Sequence, residues 1–550
     1  MVEGIPIFNM APLSIVIFLP MLGALLLALP TFSASTPTGD HKSYLVSLWV
    51  TAVTFFLSVF VLLDFDGGSS AMQFTEFYPW FPQFGVNYVL GVDGISIFLV
   101  LLTTFIMPLI VLASHSITTK LRGYLASMLL LETAMLGTLL ALDSFLFYVF
   151  WELMLAPMYF IIGIWGGKRR IYATLKFVLY TVFGSLLMLV ALLYVVWAHY
   201  AQTGQLSFLL SDLLQVHLTL GEEVWLFAAF ALAFGIKVPI FPFHTWLPDA
   251  HVEAPTGGSV VLAGVLLKMG LYGFIRFAYP LFPRGAEVFA PYIAGLAVIG
   301  IIYGALVAWA QTDIKKLVAY SSVSHLGYCV LGVVAFNVVS TTGSIFQMLS
   351  HGVTTGALFL LVGVLYDRRH TREIAEYGGL ASKVPIFAFL FLVFTLGSIA
   401  LPLTNGFVGE FLILIGSFQT FKLLTSLAVL GVIFGAVYML TLYLKTMFGE
   451  LNEEKNGALT DVTVREFATF MPLLFLVFWM GVYPAPILSR MEASVENYIT
   501  VVKQRGKRLA QVHRSTIDSL EEESGEATPH IETFGVRFQA SVETSVSEEL

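Results

Sequence analysis

The chain has 550 residues, of which 57% are hydrophobic and only 12% charged. Soluble domains carry about 25% charged residues, so the composition excludes an ordinary water-soluble domain. Despite the net charge of −8 no basic patch reaches the density that nucleic-acid binding needs, and the single Cys329 excludes a disulfide framework, a thiolate iron–sulfur cluster and a cysteine zinc site within the chain.

Hydrophobic runs of about 20 residues recur from end to end, each able to cross a ~30 Å hydrocarbon core as a helix. The chain reads as an all-α polytopic membrane protein with about fourteen spans. The first three start near Ala11, Lys42 and Val92 and make an N-terminal unit, residues 1–121. The first run, "APLSIVIFLPMLGALLLALP", follows no basic residue and reads as a retained helix, not a signal peptide. Spans starting near Arg122, Asp143, Ile171, Glu222 and Thr256 fill residues 122–278. Those starting near Val288, Ile314, Thr341, Val384 and Lys422 fill residues 288–448, and a last span covers residues 466–490. Residues 491–550 are polar, basic first and then acidic, and read as an amphipathic helix running into a flexible end.

The two middle sets hold five spans each, and an odd number inverts the second copy in the membrane. Proline breaks fall at matching places, "KVPIFP" in the seventh span and "IALPLTNGF" in the twelfth. Paired broken helices in inverted repeats point to an ion pathway. The connections alternate in charge. One side carries Lys42, Lys120, Arg122, "GGKRR", "DIKK", "DRRHTRE", Lys383, Lys445, Lys455 and Arg465; the other carries only Arg276, Arg284 and Lys422 before the tail. This asymmetry predicts both termini on the non-cytoplasmic side. The basic cluster of the tail would by itself prefer the cytoplasm.

Glu132, Glu152, Lys237, Lys268, His325, His351 and Glu410 fall near mid-span. A charge there costs about 2.5–3.5 kcal/mol, so each should face protein or water and find a partner. Lys237 precedes Pro239, which cannot donate its backbone hydrogen bond, and the freed carbonyls could hold water. We read Lys237 as a titrating amine at a hydrated break; a snorkelling lysine or a fixed ion pair are the bland alternatives. Glu152, in "FYVFWELMLAPMY", is its natural counter-ion. Such a pair gains about 4 kcal/mol at 4 Å and about 1.7 kcal/mol at 10 Å, so small motions would load and unload a proton. Lys268 on the next span could accept that proton, or simply bind a carbonyl. Glu410 follows the second break and could be the terminal group. His325 and His351 are either satisfied core histidines or relays. His244, with His251 and Asp249, fits no zinc spacing, which leaves His244 an auxiliary relay candidate and no metal site. Lys176 reads as snorkelling at a span end. Nothing in the sequence names a partner for Glu132.

The segments "FWELMLAPMYFIIGIWG", "KVPIFPFHTWLPDAHVEAPTGGSVVLAGVLLKMGLYGFIRF", "AQTDIKKLVAYSSVSHLGY" and "NGFVGEFLILIGSF" resemble the antiporter-like membrane subunits of respiratory complex I, the M-type chain above all. The resemblance runs from about residue 90 to 450 and implies fourteen helices, inverted repeats and broken helices seven and twelve. It further implies a proton-pumping module in which Glu152 and Lys237 form the interacting pair, Lys268 links the halves and Glu410 ends the path. His325 and His351 match family histidines. Glutamate in the twelfth span favours the M-type over the L- and N-type relatives, as does the lack of the long lateral helix that ends the L-type. FMN, iron–sulfur clusters, NADH and quinone would sit in partner subunits, with none in this chain, and L- and N-type subunits would be its neighbours in a bacterial-type inner membrane. Two rival readings are a subunit of a multi-subunit Na⁺/H⁺ antiporter and a non-pumping structural spacer.

Overall fold

With no water in a bilayer core, each backbone must close its hydrogen bonds internally. The runs do so as helices in the structure, a computed structural model that describes residues 11–29 and 37–524. In chain order these are α1 (Pro12–Ala28), α2 (Pro37–Leu63), α3 (Ile97–Ala113), α4 (Leu121–Leu140), α5 (Ser144–Trp165) and α6 (Arg170–Thr203). Then come α7 (Leu220–Lys237), α8 (Trp246–Glu253), α9 (Thr256–Leu281), α10 (Pro283–Trp309), α11 (Ile314–Val334) and α12 (Val338–Arg369). The last are α13 (Pro385–Ser398), α14 (Asn405–Thr420), α15 (Lys422–Met447), α16 (Val464–Val482) and α17 (Ala485–Ser524). Among the described residues eleven helices are long and apolar enough to cross a membrane, while α1 and α13 are apolar but shorter. The chain is a mostly helical, multi-pass membrane protein.

The all-α expectation needs one correction. Between α2 and α3 the alternating stretches Gln73–Phe81 (β1) and Val86–Val92 (β2) pair antiparallel, turning at Gly85 with φ 68°. The hairpin does a specific job. Glu76 is buried on it and accepts from the Leu13 N–H at 2.7 Å and the Ser14 N–H at 3.1 Å, capping α1. A carboxylate at a helix N-terminus satisfies free donors and meets the favourable end of the helix dipole.

The two breaks lie where the prolines put them. Helix α7 stops at Lys237 and the chain resumes as α8 after Thr245. The Ile236 carbonyl at the break accepts from the Trp246 indole at 2.9 Å. A cavity beside the break is lined by Val238, Ile240, Phe241, Leu326 and Val330. An indole and apolar side chains thus border the break. Between α13 and α14, Ala400 and Leu403 take left-handed φ values of 56° and 74°.

Helices α9, α11 and α12 are buried along nearly their whole length, as their apolar character on all faces requires. Helices α6 and α15 instead expose large apolar side chains such as Leu179, Phe183, Leu423 and Ile433, a lipid-facing surface. Two π-helical turns, Leu262–Leu266 and Phe274–Ala278, flank the α-helical turn of α9 that carries Lys268. Such turns are rare and concentrate at functional sites.

The chain's end also departs from expectation. The last apolar span stops at Val482, and α17 runs for 40 residues beyond it. It lies across one face: Ser494 Oγ accepts from the Gly94 N–H at 2.9 Å, Tyr498 packs on Phe336, and Arg505 donates to the Val216 and Leu281 carbonyls. Those groups sit at the helix ends opposite the "GGKRR" and "DIKK" loops. The basic run Lys503–Arg508 therefore shares the poorly basic face, against its own preference. Residues 1–10 and 525–550, hence both termini, lie outside the described residues.

Candidate functional site

Close helix approach builds the site. A side chain at Gly352 of α12 would put its Cβ 2.9 Å from the Gly264 carbonyl of α9, so only glycine lets these helices touch. That contact brings Lys268, one turn after Gly264, against His351. The Lys268 ammonium donates to the Ala263 carbonyl and lies 2.7 Å from His351 Nδ1. An ammonium only donates, so Nδ1 accepts whenever Lys268 is charged; the ring's other nitrogen, Nε2, is buried and has no hydrogen-bond partner.

The next ring is His325 of α11, its centroid 5.8 Å from that of His351. His325 Nδ1 is 2.9 Å from Glu410 Oε1, while the Ser398 and Tyr438 hydroxyls approach its Nε2 at 3.3 Å. Gln347 donates to the same Glu410 oxygen at 3.0 Å. Lys268, His351, His325 and Glu410 thus form one row across α9, α12, α11 and α14, all of it buried. A lysine and two histidines, each of a type that can take up and give away a proton, thus lead to a carboxylate inside the helix bundle.

Lys237 and Glu152 form a looser group. Lys237 is 3% exposed at the end of α7, its ammonium 5.1 Å from the Trp151 ring centroid and 6.0 Å from that of Phe177. No ion pair within 4 Å joins it to Glu152 among the described residues, although the carboxylate is near enough for its charge to act on the amine. Glu152 lies instead against Tyr148, one turn back on α5. Helix α7 packs tightly on α9, where a Cβ at Gly270 would fall 2.6 Å from the Phe234 carbonyl. Lys237 and Lys268 therefore stand on touching helices.

Other predicted residues stay apart from the row. Glu132 on α4 is fully buried with neither carboxylate oxygen hydrogen-bonded. His244 sits in the first break, stacked on Phe241 and edge-on to Tyr303, both nitrogens unpartnered. Lys176 does not snorkel; it pairs with Asp249 at 2.7 Å. Among the described residues no three His, Cys, Asp or Glu side chains gather as a metal site.

Sequence reasoning missed several members. His251 is fully buried, stacked on Phe359 at 4.6 Å, with both nitrogens free, and feels the charges of Lys268 and Lys315. Arg276, assigned above to a connection, lies inside α9 and pairs with Asp93 at 2.7 Å. Arg284 pairs with the fully buried Glu223 at 2.9 Å. Both pairs join residues far apart in sequence, and no local pattern signals them.

Comparison with known proteins fits this geometry. The family described as "NADH:quinone oxidoreductase/Mrp antiporter, TM" matches residues 141–437, and "NADH-ubiquinone oxidoreductase chain 4, amino terminus" matches residues 21–142. NADH-quinone oxidoreductase subunit M of Rhodobacter capsulatus is 48% identical over 498 residues, 88% of this chain and 96% of that protein. A chain in the structure of respiratory complex I from Thermus thermophilus with bound NADH is 34% identical, with a TM-score of 0.80 over 89% of this chain and 99% of that one. A chain of the Mrp complex from Dietzia sp. DQ12-45-1b shares the fold, with a TM-score of 0.74 at 21% identity over 93% of this chain and 56% of that one. A buried relay on broken helices, together with this breadth of similarity, places the chain in the family of NADH-quinone oxidoreductase subunit M and NADH-ubiquinone oxidoreductase chain 4.

Proposed function

We propose that this chain is a proton-translocating subunit in the membrane arm of an NADH:quinone oxidoreductase. The observation that carries the proposal is the buried row from Lys268 through His351 and His325 to Glu410, in contact at both ends and with the two rings 5.8 Å apart between centroids. Lys237, modulated by Glu152, loads Lys268 across the α7–α9 contact, and Glu410 discharges at the far end. His244 and Glu132 are auxiliary. The breaks after Lys237 and Ser398 support a reading of residues 122–278 and 288–448 as two inverted five-helix repeats within a fourteen-helix fold. The charge asymmetry of the loops supports non-cytoplasmic termini in a bacterial-type inner membrane.

Redox chemistry belongs to partner subunits in this reading: NADH, FMN, iron–sulfur clusters and quinone lie there, and L- and N-type subunits flank this one. The chain contributes a path whose proton affinities change as the complex turns over. The test is Lys268→Met in the intact complex, with NADH oxidation and proton release followed together in inverted vesicles. We expect the proton-to-electron ratio to fall while the complex still assembles; an unchanged ratio removes the proposal. A sodium-dependent exchange activity surviving without NADH oxidation would favour the antiporter reading instead.

A further inference from the structure

Lys268 has a second polar neighbour that the relay does not use. Tyr272 and Arg276 follow it at intervals of four on α9, toward the face covered by α17. Arg276 donates from Nε to the Tyr272 hydroxyl at 3.1 Å and from Nη2 to Asp93 Oδ1 at 2.7 Å. The Tyr272 hydroxyl in turn donates to the Leu139 carbonyl at 2.8 Å. Asp93 is held by the N–H groups of Ile95 and Ser96 at 3.1 and 3.0 Å, and all three side chains are buried. Beyond them, the buried hydroxyls of Tyr279 and Tyr498 have no hydrogen-bond partners, and Tyr498 feels the charge of Arg276.

A string of polar groups from Lys268 to the outer face looks like a proton exit, yet its hydrogen bonds point the wrong way. A relay group must accept on one side and donate on the other. Guanidinium has five donors, no acceptor, and does not deprotonate in proteins. Tyr272 has its proton committed to Leu139 and its lone pair to Arg276, so a proton arriving from Lys268 has nowhere outward to go. An arginine in a conduit also opposes passage of further positive charge. We infer that Arg276 is a proton-wire terminator: it seals the outer half of the first repeat and obliges Lys268 to deliver sideways to His351. Asp93 and Tyr272 are positioning residues that hold the guanidinium across the gap. The inference rests on the proton-transfer reading above and specifies its direction.

The experiment compares Arg276→His with Arg276→Lys in inverted membrane vesicles containing the whole complex. Imidazole accepts and donates, so Arg276→His rebuilds a wire; a lysine here would be held as the donor-only ammonium by the paired Asp93 carboxylate, a counter-ion Lys268 lacks, so Arg276→Lys keeps the seal. With Arg276→His we expect faster passive decay of an imposed pH gradient and a lower proton-to-electron ratio, NADH oxidation being retained. With Arg276→Lys we expect both at wild-type levels. Adding Lys268→Met to Arg276→His should abolish the extra leak. A wild-type decay and ratio in Arg276→His overturns the inference, as does an equal leak in both variants, which would mark the pair as packing alone. If Arg276→His does not assemble, Arg276→Ser, whose hydroxyl accepts and donates on one atom and can pass a proton on, gives the same comparison. A ratio lowered by Lys268→Met but not by Arg276→His sinks only this inference; a ratio unmoved by Lys268→Met sinks the proton-transfer reading itself.

Discussion

Glu410 receives two hydrogen bonds on one oxygen, from His325 and from Gln347. A hydrogen bond of this kind contributes about 0.5–1.5 kcal/mol, so the group is a clasp between α11, α12 and α14. Replacing it with glutamine keeps a carbonyl acceptor but removes the proton site. Glu410→Gln should therefore lower proton translocation far more than assembly, read as the proton-to-electron ratio beside a native gel; loss of the whole complex would mean that the clasp is its main role. The depth of Lys237, Lys268, His325, His351 and Glu410 was legible in the sequence because a charge in mid-span is costly enough to stand out. Their pairing was not. That His351 faces Lys268, or that Lys176 meets Asp249 instead of reaching toward lipid headgroups, depends on which helices touch. A single chain's local pattern is silent on that.

Helices meet here through small residues, and the contact of Gly264 with Gly352 sets the spacing of the relay. Gly352→Ala would drive a methyl group to 2.9 Å from a backbone carbonyl that cannot move aside without shifting α9. Overpacking of this kind costs about 1–3 kcal/mol. The expected result is slower proton translocation with NADH oxidation by the complex retained, since Lys268 and His351 would part; unchanged pumping would show that the spacing tolerates the added methyl group. Glu76→Ala makes the contrasting case. It strips the cap from α1 and should lower the complex's thermal stability, by about 1 kcal/mol in the helix itself, while leaving the proton ratio unchanged. Helix positions and both breaks could be read from apolar runs and prolines. The hairpin could not, because "QFTEFYPWFPQF" is as aromatic as a span and too short for one. Helix α17 was half legible: its amphipathic character showed, but its start directly after Val482 and its seat on the poorly basic face come from contacts with residues hundreds of positions away.

At the scale of the whole molecule, Arg505 and Leu509 are the last buried side chains of α17 among the described residues. Ending the chain after Gln511 should leave assembly and turnover intact, whereas ending it before Ser494 should remove the bonds to Gly94, Val216 and Leu281 and deplete the complex from membranes. Immunoblotting of both truncations decides this; equal loss from the two would place the essential contacts beyond Gln511. The broad architecture was open to a sequence reading because solvent dictates it: lipid demands helices and a potential sorts the loop charges. The row of buried titratable groups across α9, α12, α11 and α14 was not, because it arises where separate helices are pressed together in the finished bundle.

Helix α17 has one more consequence, in the order of events during synthesis. It is the last of the described helices to leave the ribosome, yet it bonds to residues near positions 94, 216 and 281 and packs near 336. It can seat only after all those segments have been threaded and have come to rest with their ends on the same side. A span inserted upside down would withdraw one of its docking points. The final helix therefore serves as a check on completed topology, closing the molecule only when every earlier turn of the chain is in place.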